Sequence, residues 1–525
     1  MRFVRLLPES RSDPPRPRGT DRAFRPVLDA DSVPDREHLE TARSAAEQGL
    51  AGQGAVNLTD DVTDIRIHKF GGTSVADTER IRHATGLVLE GPGPGVVVVS
   101  AVAGTTDRLE GLWRMAREGS RAEWQAGLVE LEALHLGLAR ELSGARANGG
   151  PLEGDPAPVD PESSGLREVV ERIRASLERA AAGAGTEEDA DLVAAAGEDL
   201  SVRLFATALR SRGAAAEVVD ARDVVRTEVQ GARAIPRDEE TYRLARAALR
   251  PLVERGVVPV IQGYIGATAE GRTTTLGRGG SDFTAAIIGA ALGAPEVTIW
   301  TDVEGIRSGD PRIVPHARLL PELGFEEAVE LAYFGARVIH PAAAKHAAAR
   351  HVSLRIRSSF RPEGEGTLIR ADRREGPAVA AVVHRGGVAL ITVRSRPLFM
   401  AHGFLARVFG VLAGHAVPVD LVATSHTSTA FTIDRAEDLT GMQEELERFA
   451  EVTIRRELAT VTVVGRGLLG RPGNAGAVFT ALGEHAVHLI SQASDVSLSF
   501  LVDEEKAHEV VRRVHRELIE KGGDG

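Results

Sequence analysis

A fifteen-residue stretch late in the chain occurs twice. GFLARVFGVLAGHAV at Gly403–Val417 lies over GNAGAVFTALGEHAV at Gly473–Val487 with an offset of 70, matching Phe409 to Phe479, Leu412 to Leu482 and His415 to His485. Strand-type segments flank both copies: Val388–Val393 and Thr460–Val464 before them, then Val419–Thr424 and His488–Gln492, then Ser428–Asp434 and Val496–Asp503. Each copy closes with a helical segment, Leu439–Phe449 or Glu504–Ile519. The order is that of a small split βαβ module, present twice. It predicts two α+β modules, at 378–455 and 456–525. The paired histidines fall at helix ends, where capping or packing is the expected role.

Upstream the pattern is that of an α/β sheet. Ile65–Phe70 (IRIHKF) reads as a strand that runs into Gly71-Gly72-Thr73-Ser74, with a helix over Asp77–Leu89 and a second strand over Val96–Ser100. Helical patterns cover Asp107–Ser143, Leu166–Ala182 and Leu192–Arg212, separated in part by the Pro/Gly/acid-rich Gly144–Gly165, expected to be a mobile loop. Strands at Ala215–Val219, Val257–Gln262, Val297–Trp300 and Val352–Ile356 alternate with helices, one of them starting at Gly324. Polar loops after strand ends place a ligand at the carboxyl edge of the sheet.

The densest polar stretch is Thr273–Ala286, TTTLGRGGSDFTAA. Adjacent glycines admit close backbone approach to a ligand. Ser281-Asp282 reads as an N-cap pair opening a helix from Phe283 to Leu292, and a helix N-terminus favours an anion. Arg278 adds a planar fork suited to carboxylate or phosphate. Lys69, at a strand end ahead of paired glycines, suits transferring phosphoryl oxygens. The loop is not a Walker A motif, because no GxxxxGK[ST] occurs. Glu198 interrupts an apolar-faced helical segment, and Thr301-Asp302 ends a strand where a nucleotide would be met. The match to GxGxxG at Gly465–Gly470 is set aside, since only 55 residues follow it and it sits inside the second repeat.

Composition narrows the classes. The 525 residues suffice for two to four domains. A net charge of −12 disfavours nucleic-acid binding. The absence of cysteine removes disulfides and thiolate chemistry, and fits a cytoplasmic protein. No apolar run reaches the length of a membrane span. Residues 1–63, rich in Arg and Pro and aperiodic, are expected to be a disordered extension, with no apolar core of a secretory signal and with Glu9, Asp13 and Asp21 against a transit peptide.

The motifs Lys69-Phe-Gly-Gly-Thr-Ser74, Gly197-Glu198, Gly271–Asp282, Trp300–Gly305, Asp310-Pro-Arg312 and Phe334–Pro341, in that order, resemble those of the aspartate kinases of the amino acid kinase superfamily. The C-terminal repeats resemble their tandem ACT domains, and the set is similar to the lysine-sensitive monofunctional type. The resemblance implies an α/β catalytic domain at 64–371, an open and mainly parallel sheet with helices on both faces, followed by two regulatory ACT domains of βαββαβ type. It implies ATP- and Mg²⁺-dependent phosphorylation of the β-carboxylate of L-aspartate. Lys69, Asp282 and Glu198 would be catalytic, and Ser100, Thr106, Tyr264, Thr275 and Arg278 would line the aspartate site with Glu198 and Asp282. Lys69, Gly71, Gly72, Thr73, Thr301, Asp302, Arg312 and Arg337 would hold ATP. Met400, Gly403, Phe404, Leu405, Asp420 and Ser425 would bind an effector, L-lysine first and L-threonine second, in a homodimer or higher homo-oligomer built through the ACT domains. Two residues depart from the family pattern: Arg337 stands at a common lysine position and Arg307 at a common aromatic one. The alternative reading is a non-catalytic amino-acid sensor on a kinase scaffold.

Overall fold

In the computed structural model the described residues are 65–91, 95–143, 161–230, 233–336, 338–371, 373, 377–395, 403–434, 439–468 and 473–521, all within one unit. The expected extension at 1–63, most of the Gly144–Gly165 loop, Arg337 and Met400 lie outside them.

The first half alternates strands and helices: β1 (Arg66–Phe70), α1 (Thr78–Glu90), β2 (Gly95–Val99), α2 (Thr105–Arg117), α3 (Arg121–Leu142), α4 (Pro161–Ala181), α5 (Glu187–Ser211), β3 (Ala216–Val219) and α6 (Ala221–Val224). There follow β4 (Thr227–Gln230), β5 (Arg233–Pro236), α7 (Asp238–Glu254), β6 (Val258–Gln262), β7 (Ile265–Ala267), β8 (Thr273–Thr275), α8 (Gly280–Leu292) and β9 (Glu296–Thr301). β10 (Glu322–Gly324), α9 (Phe325–Phe334), α10 (Pro341–Ala349), β11 (Ser353–Ser358) and β12 (Thr367–Arg370) complete this part.

Eight of these strands form one sheet, in the order β10-β12-β11-β9-β1-β2-β6-β3, parallel except between β11 and β12. Lys69 sits in register with Val98 on one side and Ile299 on the other, so β1 is central. All of Val96–Val99 is fully buried, as a strand covered on both faces requires. Alternate residues feed two cores: Ile67, Val96 and Val98 pack with Ile287 of α8, whereas Phe70, Val97 and Val99 pack with Phe205 of α5. Carboxyl ends of β1, β2, β6 and β9 therefore emerge along one edge, followed by Gly71, Ser100, Gly263 and Asp302.

Three local expectations are corrected. The helix expected over Asp107–Ser143 is two, α2 and α3, broken around Gly119. Pro161–Gly165 belong to α4 rather than to a loop. Ser281-Asp282 do not cap α8: that helix starts at Gly280, capped by Gly279 without a side-chain bond, and both residues lie in its first turn. A carboxylate is favourable there against the helix dipole.

The C-terminal part comprises β13 (Ala381–Ser395), α11 (Phe404–Gly414), β14 (Val422–Thr424), β15 (Ser428–Asp434), α12 (Thr440–Glu447), β16 (Ala450–Val464), α13 (Asn474–Leu482), β17 (Leu489–Ser494), β18 (Ser497–Asp503) and α14 (Ala507–His515). Its sheet has the order β14-β15-β13-β16-β18-β17, antiparallel throughout. The two central strands run through both modules. β13 pairs through Val388–Arg394 with β15, while Ala381–Arg385 pairs with Val464–Thr460, the segment of β16 that adjoins β18. The register shifts between Arg385 and Val388, at Gly386-Gly387. Residues upstream of the first repeat thus complete the second module, and the modules interlock.

Candidate active site

Along the carboxyl edge of the large sheet lies a cavity of about 540 Å³ lined by Lys69, Gly72, Ser100, Thr106, Glu198, Tyr264, Arg278 and Asp282. Lys69 comes from the end of β1 and Asp282 from the first turn of α8, and Lys69 Nζ stands 2.7 Å from Asp282 Oδ1. Both side chains are 11% exposed, so the pair faces the cavity from a nearly dry wall.

Glu198 projects from α5 and is 4% exposed. Its Oε1 accepts a hydrogen bond from the Ala101 N–H at 3.1 Å, and Oε2 has no partner. Burial pushes its carboxyl up to about 8, with the Ala101 bond and Lys69 opposing. An unpartnered carboxylate oxygen beside a cavity awaits a cationic donor such as an ammonium. Tyr264 holds a left-handed backbone, φ 70°, fixed by its N–H donating to Thr284 Oγ1 at 3.1 Å. A non-glycine residue held in that region stores strain, which is common at ligand sites. Arg278 is exposed at the rim.

Gly279, next to Arg278, has φ 72°, and a Cβ there would stand 2.3 Å from His340 Cβ. That contact locks the glycine turn onto the segment leading into α10. Thr275 is one step removed from the wall: its hydroxyl donates to Asp191 Oδ1 at 3.1 Å, and it pairs with Ile265 in the β7–β8 hairpin, beside Tyr264. Burial raises the Asp191 carboxyl above its ordinary range.

The expected nucleotide residues are dispersed. Gly72 lines the cavity, but the Gly71 N–H donates to the Trp300 carbonyl at 3.2 Å, and the Thr73 carbonyl accepts from Arg80 at 3.0 Å. Thr301 and Asp302 follow one another at the end of β9, their side chains bonded at 3.1 Å. Arg312 is 88% exposed, ion-paired to Asp310 at 2.7 Å, and lines a second cavity of about 760 Å³ with Arg307, Gly335, Ala336 and Val338. Arg307 is held by Glu304 at 2.6 Å and donates to the Ala317 carbonyl at 2.8 Å.

Of the expected effector residues, Gly403–Leu405 open α11, with Phe404 buried. Asp420 precedes β14, and Ser425 forms the turn between β14 and β15, its hydroxyl 2.9 Å from that of Ser428. Asp420 accepts from Tyr333 of α9 at 2.7 Å and from Arg385 of β13 at 3.0 Å.

One functional cluster goes unread in the sequence. Asp199, 2% exposed, receives both Arg222 Nη1 and Nη2 at 2.9 Å and Gln262 Nε2 at 2.9 Å. Burial opposes its charge, yet the Arg222 guanidinium holds its carboxyl below the usual range. Arg222 also donates to Thr273 at 2.9 Å, so the cluster ties α5, β6 and β8 together behind Glu198, Tyr264 and Thr275. The signal available was an acid next to Glu198 in an apolar helix.

Comparison with known proteins places this architecture. Residues 64–358 match the amino acid kinase family and residues 461–518 match the ACT domain. Lysine-sensitive aspartokinase 3 of Escherichia coli is 35% identical over 471 residues, covering 87% of this chain and 100% of that protein. The chain belongs to the amino acid kinase family, among its aspartokinases. The chloroplastic aspartokinase 2 of Arabidopsis thaliana is 32% identical over 86% of the chain and 84% of its own length. The crystal structure of E. coli aspartokinase III with aspartate and ADP matches this aspartokinase fold with a TM-score of 0.74, at 35% identity, over 87% of this chain and 100% of that one. The same enzyme with lysine and aspartate gives 0.72 at 35% identity, over 87% and 99%.

Proposed function

We propose that the chain transfers a phosphoryl group from ATP to the β-carboxylate of L-aspartate, forming 4-phospho-L-aspartate, the first step towards lysine, threonine and methionine. The observation that carries this reading is the Lys69–Asp282 pair, set in one cavity with Glu198 and Arg278. A carboxylate is a nucleophile at neutral pH, so the reaction needs no general base. It needs positioning and neutralisation of charge, and the wall supplies cations and hydroxyls rather than a nucleophile–base couple.

In this reading Arg278 receives the α-carboxylate of aspartate and the open Oε2 of Glu198 receives its ammonium. Ser100, Thr106 and Tyr264 shape the remaining wall, and Thr275 supports Tyr264 from behind. Lys69 meets the migrating phosphoryl group, with Asp282 orienting its ammonium, and Gly72 leaves room for the phosphates. Thr301, Asp302 and Arg312 take the nucleoside end, with Arg307 beside them. Among the described residues no group of three His, Asp or Glu could close around an ion. Mg²⁺ therefore fits as a passenger on the ATP phosphates, the usual way it is held, where it would neutralise phosphate charge.

The ACT modules supply feedback control by an amino acid, L-lysine ahead of L-threonine, and the contacts of a homodimer. Support comes from the C-terminal fold and the lysine-bound E. coli relative. A cytoplasmic location suits a chain with no cysteine and no described helix long and apolar enough to cross a membrane.

The test is aspartyl hydroxamate formation from L-aspartate and MgATP, with and without L-lysine or L-threonine. Activity suppressed by lysine supports the whole reading. Activity indifferent to both amino acids leaves the kinase and removes the effector assignment. A folded protein that binds ATP yet leaves aspartate untouched overturns the substrate.

A further inference from the structure

Asp420 is occupied from outside its own module. Its Oδ1 accepts from the hydroxyl of Tyr333 at 2.7 Å, and Tyr333 lies on α9 of the catalytic domain. Its Oδ2 accepts from Arg385 Nη1 at 3.0 Å, and Arg385 also reaches Asp434 Oδ2 at 3.5 Å. Burial and the neighbouring carboxylate push the Tyr333 phenol up to about 12, so its proton stays available for donation. Neither bond could be foreseen from sequence, because both cross between domains.

Both partners of Asp420 lead towards the catalytic apparatus. Arg385 lines the second cavity, together with Arg312 and Gly335. Tyr333 stands two residues ahead of Gly335, whose φ is 147° and whose Cβ, were there one, would stand 2.5 Å from the His384 carbonyl oxygen. The end of α9 thus rests directly on the main chain of β13 with no side chain between them. Past Gly335 the chain lines the second cavity through Ala336 and Val338 and reaches His340. His340 packs against Gly279, the neighbour of Arg278 in the substrate cavity. Contacts without slack are the kind that pass on a displacement rather than absorb it.

We infer that Asp420 is a shared carboxylate: in the active arrangement it anchors Tyr333 and Arg385, and an amino-acid effector inhibits by claiming it with an ammonium group. A ligand shifts an equilibrium only by its difference in affinity for the two states. Here the difference has a named source, since the effector gains full use of Asp420 only once Tyr333 and Arg385 have let go. Released, α9 and β13 carry Gly335–Val338 away from the nucleotide end of the site. The inference rests on the proposed feedback control and names its coupling residues.

The full-length protein tests it through inhibition curves with L-lysine and L-threonine. Tyr333→Phe keeps the ring in place and removes only the hydroxyl. Its uninhibited rate at saturating substrates should be retained, and its half-inhibiting effector concentration should fall roughly threefold to tenfold, the worth of one half-exposed hydrogen bond to a carboxylate. Arg385→Gln should shift the curve the same way and raise KM for ATP more than KM for aspartate. Tyr333→Phe and Arg385→Gln curves that superimpose on that of an unaltered, inhibitable protein would overturn the coupling and leave the proposed function standing. An unaltered protein that phosphorylates aspartate and ignores both amino acids would remove the effector reading, and the coupling with it.

Discussion

Lys69 and Asp282 meet at 2.7 Å although one ends a strand early in the catalytic domain and the other opens a helix late in it. The cation is held before any phosphate arrives, so its position does not have to be organised during the reaction. Lys69→Ala should lower the rate of hydroxamate formation by about 100- to 1000-fold, the usual loss for one preorganised charge-stabilising donor. KM for aspartate should change far less, since Lys69 acts on the phosphoryl group. Steady-state kinetics on both substrates checks the split.

Glu198 makes stability fall as pH rises. Its carboxyl is pushed up to about 8 in the folded chain from an unfolded value of 4.5, so between these values the folded state binds more protons than the unfolded one. The contribution is full below the unfolded value and is lost as pH rises through the folded one, with a slope of at most about 1.4 kcal/mol per pH unit. Thermal unfolding followed from pH 5 to pH 8.5 should show this decline, and Glu198→Gln should flatten it. The same substitution removes the acceptor proposed for the substrate ammonium and should raise KM for aspartate.

Asp199 and Arg222 form a buried pair with two bonds of 2.9 Å. Removing one member leaves the other charged and unmatched, so Asp199→Asn should destabilise the fold by about 3 kcal/mol or more. Chemical denaturation measures the loss. KM for aspartate should also rise, because the cluster backs the wall carrying Glu198 and Tyr264.

Gly279 and Gly293 share a left-handed φ, 72° and 70°, but only Gly279 has a neighbour in the way. Gly293→Ala should cost about 1 kcal/mol of backbone strain and no activity. Gly279→Ala adds a clash with His340 and should cost both stability and turnover, read as Tm and kcat on the two variants side by side.

Motifs dense in glycine and polar residues at strand ends announced the site, because open α/β sheets place ligands there. Strand β2 was legible for a similar reason: four consecutive valines have no place other than a doubly covered strand. The short pairs β4–β5 and β7–β8, and the edge strands β10 and β12, were not foreseen, since three or four residues carry no usable period. The helix start at Gly280 was missed because Ser281-Asp282 has the composition of a cap, while the left-handed Gly279 supplies the turn. The Asp199–Arg222–Gln262 cluster joins residues far apart in sequence, and no local pattern marks such a meeting.

The repeat suggests two beads on a string, but β13 and β16 are threaded through both. No single cut in the chain can therefore release one bead intact. A protein stopped after β16 would lose α13, β17, β18 and α14 while keeping the strand segments they cover. Ala459–Val464, which pairs with β18, would become a bare β-edge of hydrophobic residues, the kind of surface on which chains aggregate. Shared strands make the regulatory half an all-or-nothing body, inherited, lost or misfolded as one piece.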